Sequence, residues 1–239
     1  GTDFFKPGSL GRLDERLAEL SRESVAKLRS FGGECDFVRE IALPYPLQVI
    51  LEMLGLPRGD YERMLRLTQE LFGQEDPDLR RAPASADVRE AVIQDFFNYF
   101  EALTADRRAN PTDDLASALA NGEVHGCPLP HTELMGYYII VSTAGHDTTS
   151  YAMAAGIQLL AMHPDALAEL RGDPSLLVNA IEEILRRATP VRHFMRTVQE
   201  DIDLAGVTMR RGDRVYLSYK AANLDPKVFA DPQRFDIHR

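Results

Sequence analysis

HTELMGYYIIVSTAGHDTTSYAMAAGIQLLAM, residues 131–162, is the stretch on which the fold turns. It is apolar throughout, preceded by Pro128 and Pro130 and followed by Pro164, so prolines mark both ends of one long predicted helix. At about 1.5 Å per residue such a helix spans roughly 48 Å and crosses a whole domain. A membrane span is the competing reading. His146 and Asp147 stand at its centre among Thr143, Thr148, Thr149 and Ser150, and charge at mid-bilayer is costly, so that reading is rejected.

Within this helix, AGHDTT at 144–149 carries the first chemical suggestion. Ala144 and Gly145 strip bulk from one face, so a flat ligand can approach the backbone there. Thr148 lies one turn on and shares that face. Its hydroxyl can bond the carbonyl one turn back and bend the helix, opening a groove for water or a diatomic molecule. Asp147 is an acid in an apolar setting, and acid, hydroxyl and water together can relay protons. Taken alone, the same residues are better described as a glycine-kinked core helix with a bonded threonine and a surface aspartate.

Outward from this segment, helix signals dominate. Leu10–Leu28 closes at Gly32-Gly33. PLQVILEMLGL at 46–56 reads as a buried helix, followed by helices at 60–72 and 88–108, the latter with an aromatic stripe of Phe96, Phe97, Tyr99 and Phe100. Residues 74–86 read as a loop, and 113–120 as a short helix capped by Thr112 or Asp113. Downstream, helices are expected at 164–171 and 174–187. Strands follow at 194–198, 202–208 and 213–218, with turns at Gly206 and 211–213, then an irregular final twenty residues. The fold class is mainly α with a small β-sheet region.

The bulk numbers bound the partners. The 239 residues carry 27 Lys and Arg against 37 Asp and Glu, a net charge of −10. That balance disfavours nucleic acid, and no polybasic stretch suggests a membrane surface. Two cysteines, Cys35 and Cys127, fit a reducing, cytoplasmic setting and form no metal-ligand spacing. The six histidines form no metal set either. His146 is adjacent to Asp147, and neighbours on a regular helix do not face one ligand. GxSxG is absent, which weakens serine-nucleophile chemistry.

Glu183 and Arg186, three apart on a predicted helix, can pair, although most such pairs are solvated and contribute only about 0–1 kcal/mol. Arg196 on a strand can aim a guanidinium at a carboxylate ligand, or simply be solvated. Arg239, in FDIHR, can join the 183–186 pair or fray.

In order and spacing, AGHDTT, EEILRR (182–187), FMRTV (194–198), GVTMRRGDRV (206–215), AANLDP (221–226) and DPQRFDIHR (231–239) resemble consecutive signatures of bacterial cytochrome P450 monooxygenases. CDFVREIALPYPLQVILEMLGLP (35–57) is similar to that family's D-to-E helix region, DDLASALA (113–120) to the segment before its long I helix, and FFKPGSL to its helix C exit. The nearest flavour is the terpene-alcohol-hydroxylating branch.

The resemblance implies a cytochrome P450 fold, incomplete, with 1–239 as the central part of one such domain. It implies haem b (iron protoporphyrin IX) as cofactor and the 131–162 helix over its distal face. Ala144 and Gly145 would border the oxygen groove, with Asp147 and Thr148 as the proton-supplying acid–alcohol pair. Arg196 would bind a propionate. Ile140, Thr143, Val191, His193 and Phe194 would line the substrate pocket. Glu183, Arg186 and Arg239 would form a structural network, with Arg234 as the fallback third member. Leu224 stands where many relatives have arginine.

The expected reaction inserts one atom of dioxygen into a small apolar substrate, terpenoid-like or aromatic, with electrons from a ferredoxin-type donor. The axial cysteine is expected beyond Arg239, so no metal ligand is assigned within the chain and residues 1–239 alone are expected to be inactive. Competing expectations are a helical scaffold or partner-binding module without cofactor, and a hydrolase using Asp147 and Thr148.

Overall fold

A computed structural model describes residues 13–73, 82 and 85–239. The FFKPGSL segment and most of the 74–86 loop lie outside the described residues. The chain divides into two compact units, one ending at Ser150 and the other covering Tyr151–Arg239.

The first unit is helical. Helix α1, Asp14–Ser30, has acids in its first turn and bases in its last, which suits the helix dipole. It ends at Gly32, whose φ of 71° lies in the left-handed region that glycine adopts without penalty. After a short π turn at Val38–Ala42 come α2 (Pro44–Met53) and α3 (Tyr61–Phe72). Helix α4, Ala86–Ala109, starts where the Ser85 hydroxyl accepts the Val88 N–H at 3.2 Å.

Helix α5, Leu115–Ala120, follows. Its cap is Asp114, whose Oδ1 accepts the Ser117 N–H at 2.7 Å, rather than Thr112 or Asp113. The Thr112 hydroxyl is spent on the other Asp114 oxygen, so it supports the cap and is not itself the cap. A two-residue hairpin, β1 (Glu123–Val124) with β2 (Cys127–Pro128), leads into α6 (His131–Ala144).

The core of this unit gathers Leu47, Ile50, Leu51 and Leu54 with Met64, Phe96, Phe100, Leu115, Met135 and Tyr138. The expected aromatic stripe supplies its centre: Phe100 stacks on Tyr138 with ring centroids 4.5 Å apart. Each such fully buried large side chain contributes about 1.5–3 kcal/mol.

The long helix expected over 131–162 is interrupted. Helix α6 stops at Ala144, Gly145 and His146 form a turn, and α7 runs Asp147–Met162. At the break the His146 N–H reaches the Thr143 carbonyl at 3.2 Å, a tighter three-residue step, while the Thr148 hydroxyl donates to the Ala144 carbonyl at 2.8 Å. A side-chain hydroxyl competing for a helix carbonyl beside a residue without Cβ is a recognised cause of such bends.

The second unit continues α7 into α8 (Pro164–Gly172), a 3₁₀ turn at Pro174–Leu176 and α9 (Leu177–Ala188). Thr189 ends α9 in left-handed geometry, φ 46°. Strands β3 (His193–Thr197) and β6 (Arg214–Ser218) pair antiparallel, with Arg196 opposite Val215. The β-rich stretch expected at 202–208 with its turn at Gly206 is a hairpin, β4 (Ile202–Leu204) with β5 (Val207–Met209). Ala205 and Gly206, both at positive φ, make the primed turn that matches strand twist. A short helix, α10 (Tyr219–Asn223), occupies part of what reads as irregular tail. Phe235 and Ile237 pack with Ala180 as this unit's core. Among the described residues no helix is long and apolar enough to cross a membrane.

Candidate functional site

The helix break sorts the side chains of residues 134–150 onto two faces. Leu134, Met135, Tyr138, Ser142, His146 and Ser150 are buried, at spacings of three and four. Tyr137, Ile140 and Ala144 follow the same spacing on another face and are exposed, Ile140 by 61%, with half-buried Thr148 continuing the row. An apolar helix face left open needs a covering partner. Ala144 and Gly145 sit at the end of it. A Cβ placed on Gly145 would meet only the Ile50 side chain, 3.7 Å away, in ordinary contact. Ile50 thus covers the Cβ side of Gly145, while Ala144 and Gly145 are otherwise exposed, so a flat, apolar group can approach the backbone from the open side. Thr143, half-buried, donates its hydroxyl to the Ile139 carbonyl.

His146 is fully buried. Its Nε2 lies 3.2 Å from the Leu43 carbonyl, which only accepts, so Nε2 carries the hydrogen. Nδ1 then presents a lone pair that finds no hydrogen-bond donor. The nearest acidic atom is Asp147 Oδ1 at 3.4 Å, with the Asp147 side chain 59% exposed. Burial lowers the His146 pKa. The negative charge of Asp147 and the bond to Leu43 work against it without reversing the shift. Helical spacing puts neighbouring side chains on different faces, but the interruption at 145–146 brings these two together.

In the second unit Glu183 and Arg186 are both buried and bidentate. Arg186 Nε donates to one Glu183 oxygen at 2.6 Å and Nη2 to the other at 2.7 Å. The remaining guanidinium hydrogens reach the carbonyls of Asn223 (2.7 Å), Pro232 (2.9 Å) and Arg234 (3.2 Å). The Asp236 N–H donates to Glu183 at 3.0 Å, and Arg239 Nε approaches it at 3.4 Å. Arg234 contributes only its carbonyl. Burial pushes the Glu183 carboxyl up, but the bonds from Arg186 and Asp236 and the Arg186 and Arg239 charges outweigh it and hold the pKa below the usual carboxylate range.

Arg196 is exposed on β3. It donates to the Met195 carbonyl and lies 5.6 Å over the Phe194 ring, and no carboxylate among the described residues pairs with it. His193 stacks on Tyr216 at 4.6 Å, Phe194 meets Tyr219 edge-on, and Val191 is half-buried. Cys35 is half-buried and Cys127 exposed, and no group of three or more potential metal ligands occurs among the described residues.

The site residue that sequence reasoning set aside is His146. Its signal was a lone histidine beside glycine in an apolar helix, and only the break gives it a partner.

The chain belongs to the cytochrome P450 family, which residues 62–239 match. It is 40% identical over 244 residues to cytochrome P450-terp of a Pseudomonas species, covering 99% of this chain and 57% of that protein. Linalool 8-monooxygenase of Pseudomonas putida is 33% identical, with 98% of this chain and 56% of that one covered. Among solved structures, CYP108D1 of Novosphingobium aromaticivorans superposes with a TM-score of 0.89 at 40% identity, over 99% of this chain and 56% of its own. The chain thus spans little more than half the length of these relatives, and its mainly helical fold with small sheets is theirs.

The family implies haem. Within residues 1–150 the residues present fit it: small residues at the helix break and an exposed apolar face beside them.

Proposed function

We propose that this chain is part of a haem-dependent monooxygenase that inserts one oxygen atom from dioxygen into a small apolar substrate. Within residues 1–150, Ala144 and Gly145 are assigned to contact haem b and Ile140 and Thr143 to touch substrate. Within residues 151–239, Arg196 is assigned to a haem propionate, and Val191, His193 and Phe194 to substrate. Glu183, Arg186 and Arg239 are assigned to hold the fold. The observation that carries the reading is the open, small-residue break at 144–145 with Thr148 bonded back across it.

A haem iron held by thiolate supplies oxygen–oxygen cleavage, and neither Cys35 nor Cys127 is assigned as that thiolate. The chain's own contribution is proton handling and exclusion of water. Asp147 is exposed enough to take protons from solvent. The Thr148 hydroxyl, donating to the Ala144 carbonyl, keeps its lone pairs free to accept a hydrogen bond from a water or an acid, and passes a proton on when its own hydrogen turns away from that carbonyl. The apolar row of Tyr137, Ile140 and Ala144 desolvates what lies against it.

The name of linalool 8-monooxygenase, together with the similarity to cytochrome P450-terp, supports a terpenoid-like substrate; aromatic molecules fit the same apolar lining. Electrons are assigned to a ferredoxin-type donor and the location to the cytoplasm. The full-length protein, reduced and exposed to carbon monoxide, is expected to give the red-shifted Soret band of a thiolate-bound haem. A full-length protein that takes up no haem overturns the proposal and leaves a helical scaffold.

A further inference from the structure

At the helix break His146 is tied through its amide, its carbonyl and its ring. Its N–H reaches the Thr143 carbonyl at 3.2 Å, and its carbonyl accepts both the Ser150 N–H and the Ser150 hydroxyl at 2.9 Å. Those bonds are local. The ring, fully buried, donates from Nε2 to the Leu43 carbonyl at 3.2 Å, across 103 positions of sequence. The acceptor is held firmly. Leu43 closes the π turn with its own N–H on the Val38 carbonyl at 2.9 Å, and Pro44 follows with its φ fixed at the first position of α2. Further along α2, buried Ile50 brings Cδ1 to 3.7 Å from where a Gly145 Cβ would stand. Both residues of the interruption therefore rest on the segment 43–50.

We infer that His146 is a positioning residue for Thr148: by donating to the Leu43 carbonyl it holds the interruption at 145–146 in the geometry that turns the Thr148 hydroxyl onto the Ala144 carbonyl. This rests on the proton-relay reading above. The physical need is local. A glycine beside a three-residue step leaves the backbone several alternatives, the regular helix of the flanking residues among them. A ring locked in the core against a fixed carbonyl selects one. Asp147 and Thr148 follow directly in the chain, so the same lock sets their directions. His146 itself moves no proton. The Leu43 carbonyl only accepts, so Nε2 carries its hydrogen whatever the charge of the ring. The segment 43–50, which holds none of the assigned site residues, thereby governs the relay from behind the helix.

The test uses the full-length holoenzyme with His146→Gln, His146→Leu, Thr148→Ala and the combination of His146→Leu with Thr148→Ala. Glutamine at 146 can still donate to the Leu43 carbonyl, whereas leucine fills the core and donates nothing. Product formed per oxygen consumed is expected to fall about tenfold in His146→Leu and to stay within about threefold in His146→Gln, the scale of one hydrogen bond. Haem content and substrate KM are expected to match the wild type in both. In the Thr148→Ala background His146→Leu is expected to add nothing to the uncoupling, because the group it positions is gone. Amide hydrogen exchange over residues 143–150 is expected to quicken about tenfold in His146→Leu and not in His146→Gln, since the bond that holds the break closed is lost only in the first.

A purely structural histidine predicts lower haem content, and a coupling loss in His146→Leu that adds to that of Thr148→Ala. That pattern, equal coupling in His146→Gln and His146→Leu, or unchanged exchange in His146→Leu overturns the inference. Should His146→Leu yield no folded protein, His146→Asn, too short to reach Leu43, takes its place with the same expectations, and failure of both to fold assigns the ring to the fold and overturns the inference as well. Should the wild type bind no haem, the proposed function fails, while the exchange rates still decide whether the Leu43 bond holds the break.

Discussion

Glu183–Arg186–Arg239 and His146–Asp147–Thr148 are both clusters of ionisable and polar side chains, each containing a group that water scarcely reaches. In the first, every buried group is answered: both Glu183 oxygens accept, and Arg186 spends its donors on Glu183 and three backbone carbonyls, with the Phe229 ring 5.0 Å away. In the second, a buried nitrogen is unanswered, a carboxyl faces solvent and a helix is broken. The difference teaches how to separate holding from doing. Fully satisfied buried charge is a device for fixing chain segments, whereas polar groups left unsatisfied beside irregular backbone are poised for transfer.

The largest expected effect comes from breaking the satisfied cluster. Glu183→Ala leaves the Arg186 guanidinium buried without its counter-charge and is expected to cost about 3–5 kcal/mol, read as a lowered denaturant midpoint and lost haem incorporation in the full-length protein. Its pH dependence has a fixed sign. The folded pKa of Glu183 is depressed, so its stabilisation is complete above the ordinary carboxylate range and disappears as pH falls through the lower folded value. Acid denaturation of the wild type should therefore be steeper than that of Glu183→Gln.

A smaller loss is expected at Gly55. Its φ is +65°, and a Cβ there would fall 2.0 Å from Asp114 Oδ2, the oxygen that also receives Arg107 Nε. Gly55→Ala should cost more than about 1 kcal/mol, as expected where the native backbone is incompatible with a side chain, and thermal melting would register it. Smallest is Arg210→Ala, which removes an ion pair to Asp201 that is exposed on both sides. The melting temperature should not move measurably, since such pairs contribute about 0–1 kcal/mol. A large effect there would erase the contrast between satisfied burial and surface charge.

Much of this contrast could be read from residues alone, and the limits are physical. Apolar periodicity and flanking prolines place helices at 46–56, 60–72, 88–108, 164–171 and 174–187, within a few residues of those observed, because burial and backbone sterics act locally. The bend in 131–162 is legible in the residues, since the Thr148 hydroxyl does bond back to the Ala144 carbonyl beside Gly145, but its extent, a full interruption at 145–146, is not. Gly206 marks the turn of the 202–209 hairpin in the sequence, while Ala205, its partner at positive φ, carries no turn signal. The cap falls at Asp114, one residue past the expected Thr112 or Asp113, because the helix begins at Leu115 and the Ser117 N–H reaches Asp114.

Spacing brings Glu183 and Arg186 within reach. Their burial depends on residues 223–239 folding over them, which no local pattern encodes. Likewise the adjacency rule that sets His146 and Asp147 apart holds for a regular helix and lapses at an interruption.

The decisive measurement is the ratio of product formed to oxygen consumed by the full-length Thr148→Ala protein at wild-type haem content. The hydroxyl's bond to the Ala144 carbonyl is not a buried one, so its loss should leave folding and haem uptake intact. Positioned proton transfer contributes at least about 10²-fold, so product formation should fall by that order while oxygen is still consumed. A variant that converts oxygen to product as efficiently as the wild type would contradict the account.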